Sequence, residues 1–97
     1  MEKYALLARL EAKQGKEIEV SNFLKSALPL AIEEIKTVKW YAWQIDDSTF
    51  GIFDTFETDE HRKEHLAGKI AAALMEHAGE LLSKEPIIEF LDLLAVK

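Results

Sequence analysis

The sequence predicts an α+β domain whose elements follow the order β-α-β-β-α-β. Two observations predict it. Four short segments carry apolar residues in the alternating or continuous pattern of strands, and two longer stretches carry them at the spacings of three and four that helices use. The 97 residues have the size of one domain, so residues 1–97 are treated as a single unit. This order is the ferredoxin-like arrangement, which gives a four-stranded antiparallel sheet with its helices on one face.

The first half of the chain supplies a strand and a helix. Tyr4 to Ala12 alternates along its length and predicts the first strand, which ends before a turn at Gln14-Gly15. Lys16 to about Leu28 carries one apolar stripe and predicts the first helix. Because Pro29 disfavours helical geometry in the residue before it, we expect a kink there, with a kinked or fresh helical turn over Leu30 to Ile35.

The second half supplies a hairpin and two further helical segments. Val38 to Ile45 and Thr49 to Phe56 predict the second and third strands, joined by the polar turn at residues 46–48. Thr58 or Asp59 is expected to cap a helical segment that runs to about Gly68. An alanine-rich helix is predicted to follow from about Lys69 to Leu82.

The segment from Ile87 to Val96 predicts both the last strand and an assembly. It is apolar except at Glu89 and Asp92, so a strand made from it is apolar on both sides. The helices of so short a chain can cover only one face of the sheet. We therefore expect the other face to pack against a second copy, which gives a homodimer through the sheet face. A monomer with a twisted sheet is the alternative.

Composition excludes several classes of function. The net charge of −6, without any cluster of basic residues, disfavours nucleic acid and anionic membrane surfaces as partners. The absence of cysteine excludes disulfides, thiolate catalysis and cysteine-ligated metals. The longest apolar run, Ile70 to Met75, is too short to span a bilayer, and the first residues do not resemble a signal peptide. We therefore expect a cytoplasmic address.

His65 and Asp54 are the candidate catalytic residues. His65 falls at the junction of two predicted helices, where a pocket mouth often forms, and a neutral imidazole there can act as an acid or a base near pH 7. Asp54 lies in mid-strand among apolar residues, where a carboxylate must pair with Arg9 or another cation, or else face a polar pocket. A packing role for His65 and a structural ion pair for Asp54 are the alternatives.

Aromatic residues are concentrated in the predicted hairpin and can form the walls of a pocket for a planar ligand, or else belong to the core or to an interface. The candidate pocket residues are Trp40, Trp43, Phe53, Phe56 and, from the apolar stripe of the last helix, His77. Strand alternation allows only some of the hairpin residues to share one cavity. His61 and His65 have a spacing that can hold a metal ion, but two basic residues separate them, and no metal site is predicted.

The segment from Phe50 to Leu66 resembles the antibiotic biosynthesis monooxygenase (ABM) family, as do the element order and the Gly15-Lys16 entry to the first helix. The family's acidic position corresponds to Asp54, its Trp position to Phe56 and its His-Leu pair to His65-Leu66. The resemblance covers nearly the whole chain.

The resemblance implies a dimeric α+β barrel in which two sheets face each other. It implies a monooxygenase that oxidises a small aromatic or quinol-like substrate with oxygen and needs no metal, flavin or other cofactor. His65 would then be the base or the orienting group, and Asp54 would hold a neighbour in place. The alternative is a non-catalytic dimeric barrel that binds a small apolar ligand in a stress or regulatory role.

Overall fold

The computed structural model describes all 97 residues, which form four strands and four helices. In chain order, the elements are β1 (Tyr4–Glu11), α1 (Glu17–Ser26), α2 (Leu28–Glu33), β2 (Lys39–Gln44), β3 (Thr49–Phe56), α3 (Asp59–Leu66), α4 (Lys69–Leu81) and β4 (Ile87–Asp92). The strands make one antiparallel sheet in the order β2-β3-β1-β4. The ferredoxin-like prediction is confirmed, with the helical part of each crossover split in two. No helix combines the length and the apolar character needed to cross a membrane.

Local chemistry explains where the helices start. α2 begins at Leu28 with Pro29 in its first turn, where the missing N–H of proline is harmless because no helical partner is required. Thr58 caps α3, and its hydroxyl oxygen accepts a hydrogen bond from the backbone N–H of His61 over 3.1 Å. This cap confirms one of the two predicted starts and fixes the orientation of the helix that carries His65.

β4 is shorter than predicted. It ends at Asp92, which pairs with Tyr4, the first residue of β1. Beyond that point Leu93 donates one backbone hydrogen bond to Lys3, and Leu94 is 98% exposed. The prediction of a strand continuing to Val96 was wrong because apolar composition cannot extend a strand past the end of its neighbour.

The helices cover one face of the sheet, hereafter the helix face. Paired residues of neighbouring antiparallel strands project to the same side, so Trp40, Asp54, Leu6 and Phe90 form one row across this face. The core is built from the buried apolar side chains of this face and of the helices above it: Ala8, Leu10, Ala12, Val20, Leu24, Phe50, Ile52, Leu74, Leu81 and Leu82.

The opposite face, hereafter the open face, has no helix over it. One of its rows joins Ile87, Arg9, Gly51 and Trp43, and the next joins Glu89, Leu7, Phe53 and Tyr41. The Tyr41 and Phe53 rings stack with centroids 6.3 Å apart, and the Arg9 guanidinium lies 5.8 Å from the Trp43 ring. The large apolar side chains of this face are Leu7, Tyr41, Trp43, Phe53, Ile87 and Leu91, interspersed with charged residues.

Candidate active site

α3 places His65 directly above Asp54 on the helix face. The Nε2 atom of His65 lies 2.9 Å from Oδ2 of Asp54, and the two side chains are only 7% and 2% exposed. The Phe56 ring packs against the imidazole with centroids 5.3 Å apart. The row arrangement explains the pairing, because Asp54 points away from Arg9, one of the cations considered for it, and towards the helix above.

Glu34 occupies the other side of the imidazole. It lies just after α2, and its Oε1 atom is 2.5 Å from Nδ1 of His65. The Thr37 hydroxyl donates to the same Oε1 over 2.9 Å and so holds the carboxylate in place. Glu34 Oε2 makes no hydrogen bond, and the Glu34 side chain is 23% exposed. Asp54, His65 and Glu34 thus form a chain of contacts, hereafter the triad, that leads from the buried sheet to the surface.

The triad changes the acid–base properties of its members. Burial lowers the pKa of His65, but hydrogen bonds and charge attraction from Asp54 and Glu34 outweigh burial and raise it from 6.5 to about 8. Burial also raises the pKa of Asp54 above its ordinary value, against the opposing effect of the His65 hydrogen bond and charge. At neutral pH, His65 is therefore an imidazolium that donates from both ring nitrogens to carboxylates.

A groove of about 430 Å³ opens at the outer end of the triad. Its walls come from α2 with the segment after it and from α3 with the α3–α4 junction, and they include Leu30, Glu33, Glu34, Thr37, His61 and His65. The volume is within the range of small-molecule sites. The structure places His65 beside a concave site at this junction.

The inner end of the triad faces a much smaller space. A cavity of about 40 Å³ lies between the sheet and α3–α4, with mostly apolar walls that also include Asp54 and His65. An apolar cavity that binds benzene has a volume of about 150 Å³, so a cavity of about 40 Å³ holds no aromatic ring without rearrangement. Asp54 Oδ1 and Trp40 Nε1 are buried on this side of the site and have no hydrogen-bond partner.

Arg62 fixes the position of α3 over the sheet. Its Nη1 donates to the backbone oxygens of Ala5 and Leu91 over 3.3 and 3.1 Å, and its Nε and Nη2 donate to Asp59 Oδ1. The guanidinium also lies 5.0 Å from the Tyr4 ring and 4.9 Å from the Phe90 ring. This buried cation therefore ties the helix of His65 to both β1 and β4.

Three of the predicted pocket residues lie away from the triad. Trp43 and Phe53 were wrongly grouped with His65, because both project from the open face, on the far side of the sheet. His77 is exposed on α4, where its ring packs 5.6 Å from Phe23. It occupies the edge of the apolar stripe, so helical spacing alone placed it too far inward.

Trp40 and Phe56 do share the helix face with Asp54. Trp40 packs against the core and against Ala27, Ala31 and Ile70, and Phe56 is fully buried beside His65. Neither residue is among those that line the groove. They support the triad from within the core.

Glu34 and Thr37 are the residues that sequence reasoning missed. Both lie in the connection between α2 and β2, where neither helical nor strand periodicity predicts which way a side chain points. The available signal was the position of an acidic residue and a hydroxyl directly before the hairpin that carries Asp54.

The solved structures similar to this chain share its whole fold. The NE2512 protein of unknown function from Nitrosomonas europaea is 52% identical, with a TM-score of 0.98, and the match covers 100% of this chain and 94% of that one. A "Putative antibiotic biosynthesis monooxygenase" from the same organism is 12% identical, with a TM-score of 0.84 and coverage of 95% and 99%.

A third structure, described as a "putative antibiotic biosynthesis monooxygenase" from Caulobacter crescentus, is 14% identical, with a TM-score of 0.82 and coverage of 97% and 92%. No protein-family model matches the chain, and no curated protein matches it. At 12–14% identity, the two monooxygenase structures establish the fold and nothing finer. The chain therefore belongs to the same family as the Nitrosomonas europaea NE2512 protein, and it has the fold of the ABM structures.

Proposed function

We propose that this protein is a cofactor-independent monooxygenase that acts on a small aromatic or quinol-like substrate. The observation that carries the proposal is the triad of Asp54, His65 and Glu34, whose outer end meets a groove large enough for such a molecule. Strongly perturbed ionisable groups beside a concave site are the usual mark of acid–base catalysis. The fold of the ABM structures supports the same reading.

In the proposed reaction the substrate binds in the groove, on the outer side of His65. The triad removes a proton from a ring hydroxyl and stabilises the resulting oxyanion with the positive charge of His65. The electron-rich anion then supplies the electrons that reduce oxygen. Buried Asp54 holds the imidazolium in place and balances its charge. The cavity of about 40 Å³ between the sheet and the helices is too small to hold such a substrate.

Oxygen consumption with a panel of hydroquinones tests the proposal. We expect uptake by the wild type and a loss of roughly 100-fold in His65→Ala, which is the usual contribution of one acid–base group. His77→Ala is the matched control, because that histidine is exposed and lies against Phe23, away from the triad. Equal and negligible uptake by wild type and His65→Ala would remove the enzymatic reading.

The second candidate is a non-catalytic protein that binds a small ligand in the same groove. It is favoured by the surface of the groove, which is mostly apolar although only Leu30 and Ile35 contribute large apolar side chains. Thermal stabilisation by aromatic compounds without oxygen uptake would support this candidate over the first.

We also propose that two copies pack through the open face. Its large side chains are only partly covered, since Tyr41 remains 53% and Ile87 45% exposed in the single chain. The open face also carries two cations, Arg9 and Lys39, and two carboxylates, Glu89 and Glu11. A second copy related by a two-fold axis therefore offers opposite charges as well as apolar surface.

A further inference from the structure

We infer that Glu34, rather than His65, is the catalytic residue that takes the proton from the substrate, with His65 and Asp54 acting behind it. The inference rests on the proposed function and assigns the roles within its site. Its basis is that each of the two ring nitrogens of His65 faces a carboxylate. Nε2 faces Asp54 Oδ2 at 2.9 Å and Nδ1 faces Glu34 Oε1 at 2.5 Å.

An imidazole that faces a carboxylate at each nitrogen has no lone pair left for a substrate. A neutral ring can donate from one nitrogen only, and its other nitrogen would then set a lone pair against a carboxylate oxygen. The doubly protonated ring satisfies both contacts, which agrees with the raised pKa of about 8. His65 is therefore charged in the resting protein and cannot act as the base.

Of the two carboxylates, Glu34 is the one that a groove ligand can reach. Asp54 is 2% exposed and does not line the groove, whereas the Glu34 side chain is 23% exposed and does. Oε1 of Glu34 is occupied by His65 and by the Thr37 hydroxyl, and Oε2 makes no hydrogen bond. Oε2 is thus the accepting atom, and Thr37 is a positioning residue that aims it.

The proton moves directly from the substrate to Glu34, and no other group is needed to accept it. The O–H bond of the substrate breaks and an O–H bond forms at Glu34 Oε2, so that a substrate anion replaces the carboxylate anion next to His65. The imidazolium keeps both of its protons throughout, and its charge passes from stabilising Glu34 to stabilising the new oxyanion. Asp54 keeps its contact with Nε2 and anchors the ring from behind. Glu34 can then return the proton to a reduced-oxygen group.

Chemical rescue of alanine variants shows whether Glu34 or His65 takes the proton from the substrate. Glu34→Ala should lose roughly 100-fold in turnover and regain part of it with added formate, since a small carboxylate can enter the space left in the groove. Glu76→Gln is the matched control, because it makes the same charge change on the exposed side of α4, away from the groove and from the triad. Imidazole rescue of His65→Ala together with near-normal turnover of Glu34→Ala would overturn the inference.

A binding experiment without oxygen keeps this inference separate from the proposed function. A dihydroxynaphthalene added anaerobically should show the absorbance of its phenolate when bound to the wild type and to Glu76→Gln, and that of the neutral phenol when bound to Glu34→Gln. Phenolate formation in the wild type without any later oxygen uptake would refute the monooxygenase and leave the role of Glu34 standing. Equal ionisation by wild type and Glu34→Gln, or none by the wild type, would overturn that role.

Discussion

His65 on α3 and Asp54 on β3 are joined by a 2.9 Å contact between Nε2 and Oδ2 in a part of the protein that is almost closed to water. Isolated charges in such a place are costly, and a buried pair persists only when further hydrogen bonds complete it. Glu34 supplies that completion at Nδ1. The pair therefore depends on a third residue that also lines the surface groove.

Stability should fall as the pH rises through the range in which His65 loses its proton. The folded-state pKa of about 8 lies above the unfolded value of 6.5, so the contribution is fully present below pH 6.5 and is lost as the pH rises through 8. Because one pKa unit corresponds to about 1.4 kcal/mol, the expected loss in the free energy of unfolding is about 2 kcal/mol.

Urea unfolding across that pH range measures this loss. The double variant Asp54→Asn with Glu34→Gln keeps His65 but removes both negative charges, so its stability should depend much less on pH. A wild-type stability that does not change between pH 6.5 and 8 would contradict the charged state assigned to His65.

Gly51 and Gly79 should respond in opposite ways to alanine. A Cβ atom at Gly51 would overlap the Trp43 ring and the backbone oxygen of Ala8, whereas one at Gly79 would meet nothing within 4 Å. We expect Gly51→Ala to lower the free energy of unfolding by at least about 2 kcal/mol through overpacking. Gly79→Ala should raise it by about 1 kcal/mol because alanine favours the helix. Chemical denaturation of both variants tests the contrast, and equal effects would show that Trp43 does not lie over Gly51.

A charge placed at the centre of the open face should weaken the proposed dimer. Phe53→Glu puts an unpaired carboxylate beside Tyr41 and Leu7, so the dissociation constant of the dimer should rise by roughly 100-fold or more. Ile32→Glu is the control, since that side chain is 70% exposed on α2, away from the sheet. Sedimentation equilibrium reports the outcome: a wild type that is monomeric at micromolar concentration would end the proposal of a dimer.

Arg62 should be far more important to stability than its neighbour Lys63. Arg62→Ala removes the hydrogen bonds to Ala5 and Leu91 and the stacking between two rings, so we expect a loss of about 2–4 kcal/mol. Lys63 is exposed and contacts only Asp59, so Lys63→Ala should cost little. Similar losses of stability in the two variants, measured by thermal unfolding, would contradict the role of Arg62 in tying α3 to β1 and β4.

The strands were predictable where the sequence marks both of their ends. β3 lies at Thr49–Phe56 as expected, because a polar turn precedes it and the Thr58 cap follows it. β4 was predicted too long, since its end is set by the first residue of β1 and not by its own composition. Register of this kind is a tertiary property that a single segment does not carry.

The site was predictable in part. His65 and Asp54 were both recognised as candidates, yet their pairing depends on how α3 crosses the sheet, and the sequence left the partner of Asp54 open between Arg9, another cation and a polar pocket. Glu34 was not predicted because it lies in an irregular connection, where side-chain direction follows from the packing of α2 rather than from helical or strand periodicity. Its role emerges only when three distant segments meet.

Nitrogen NMR of the His65 ring during a pH titration of the wild type tests the central claim most directly. The triad predicts that both ring nitrogens carry protons at neutral pH and that the ring titrates with a pKa of about 8, shifting downwards in Asp54→Asn and in Glu34→Gln. A ring that is neutral at pH 7 and titrates at or below 6.5 would contradict the account.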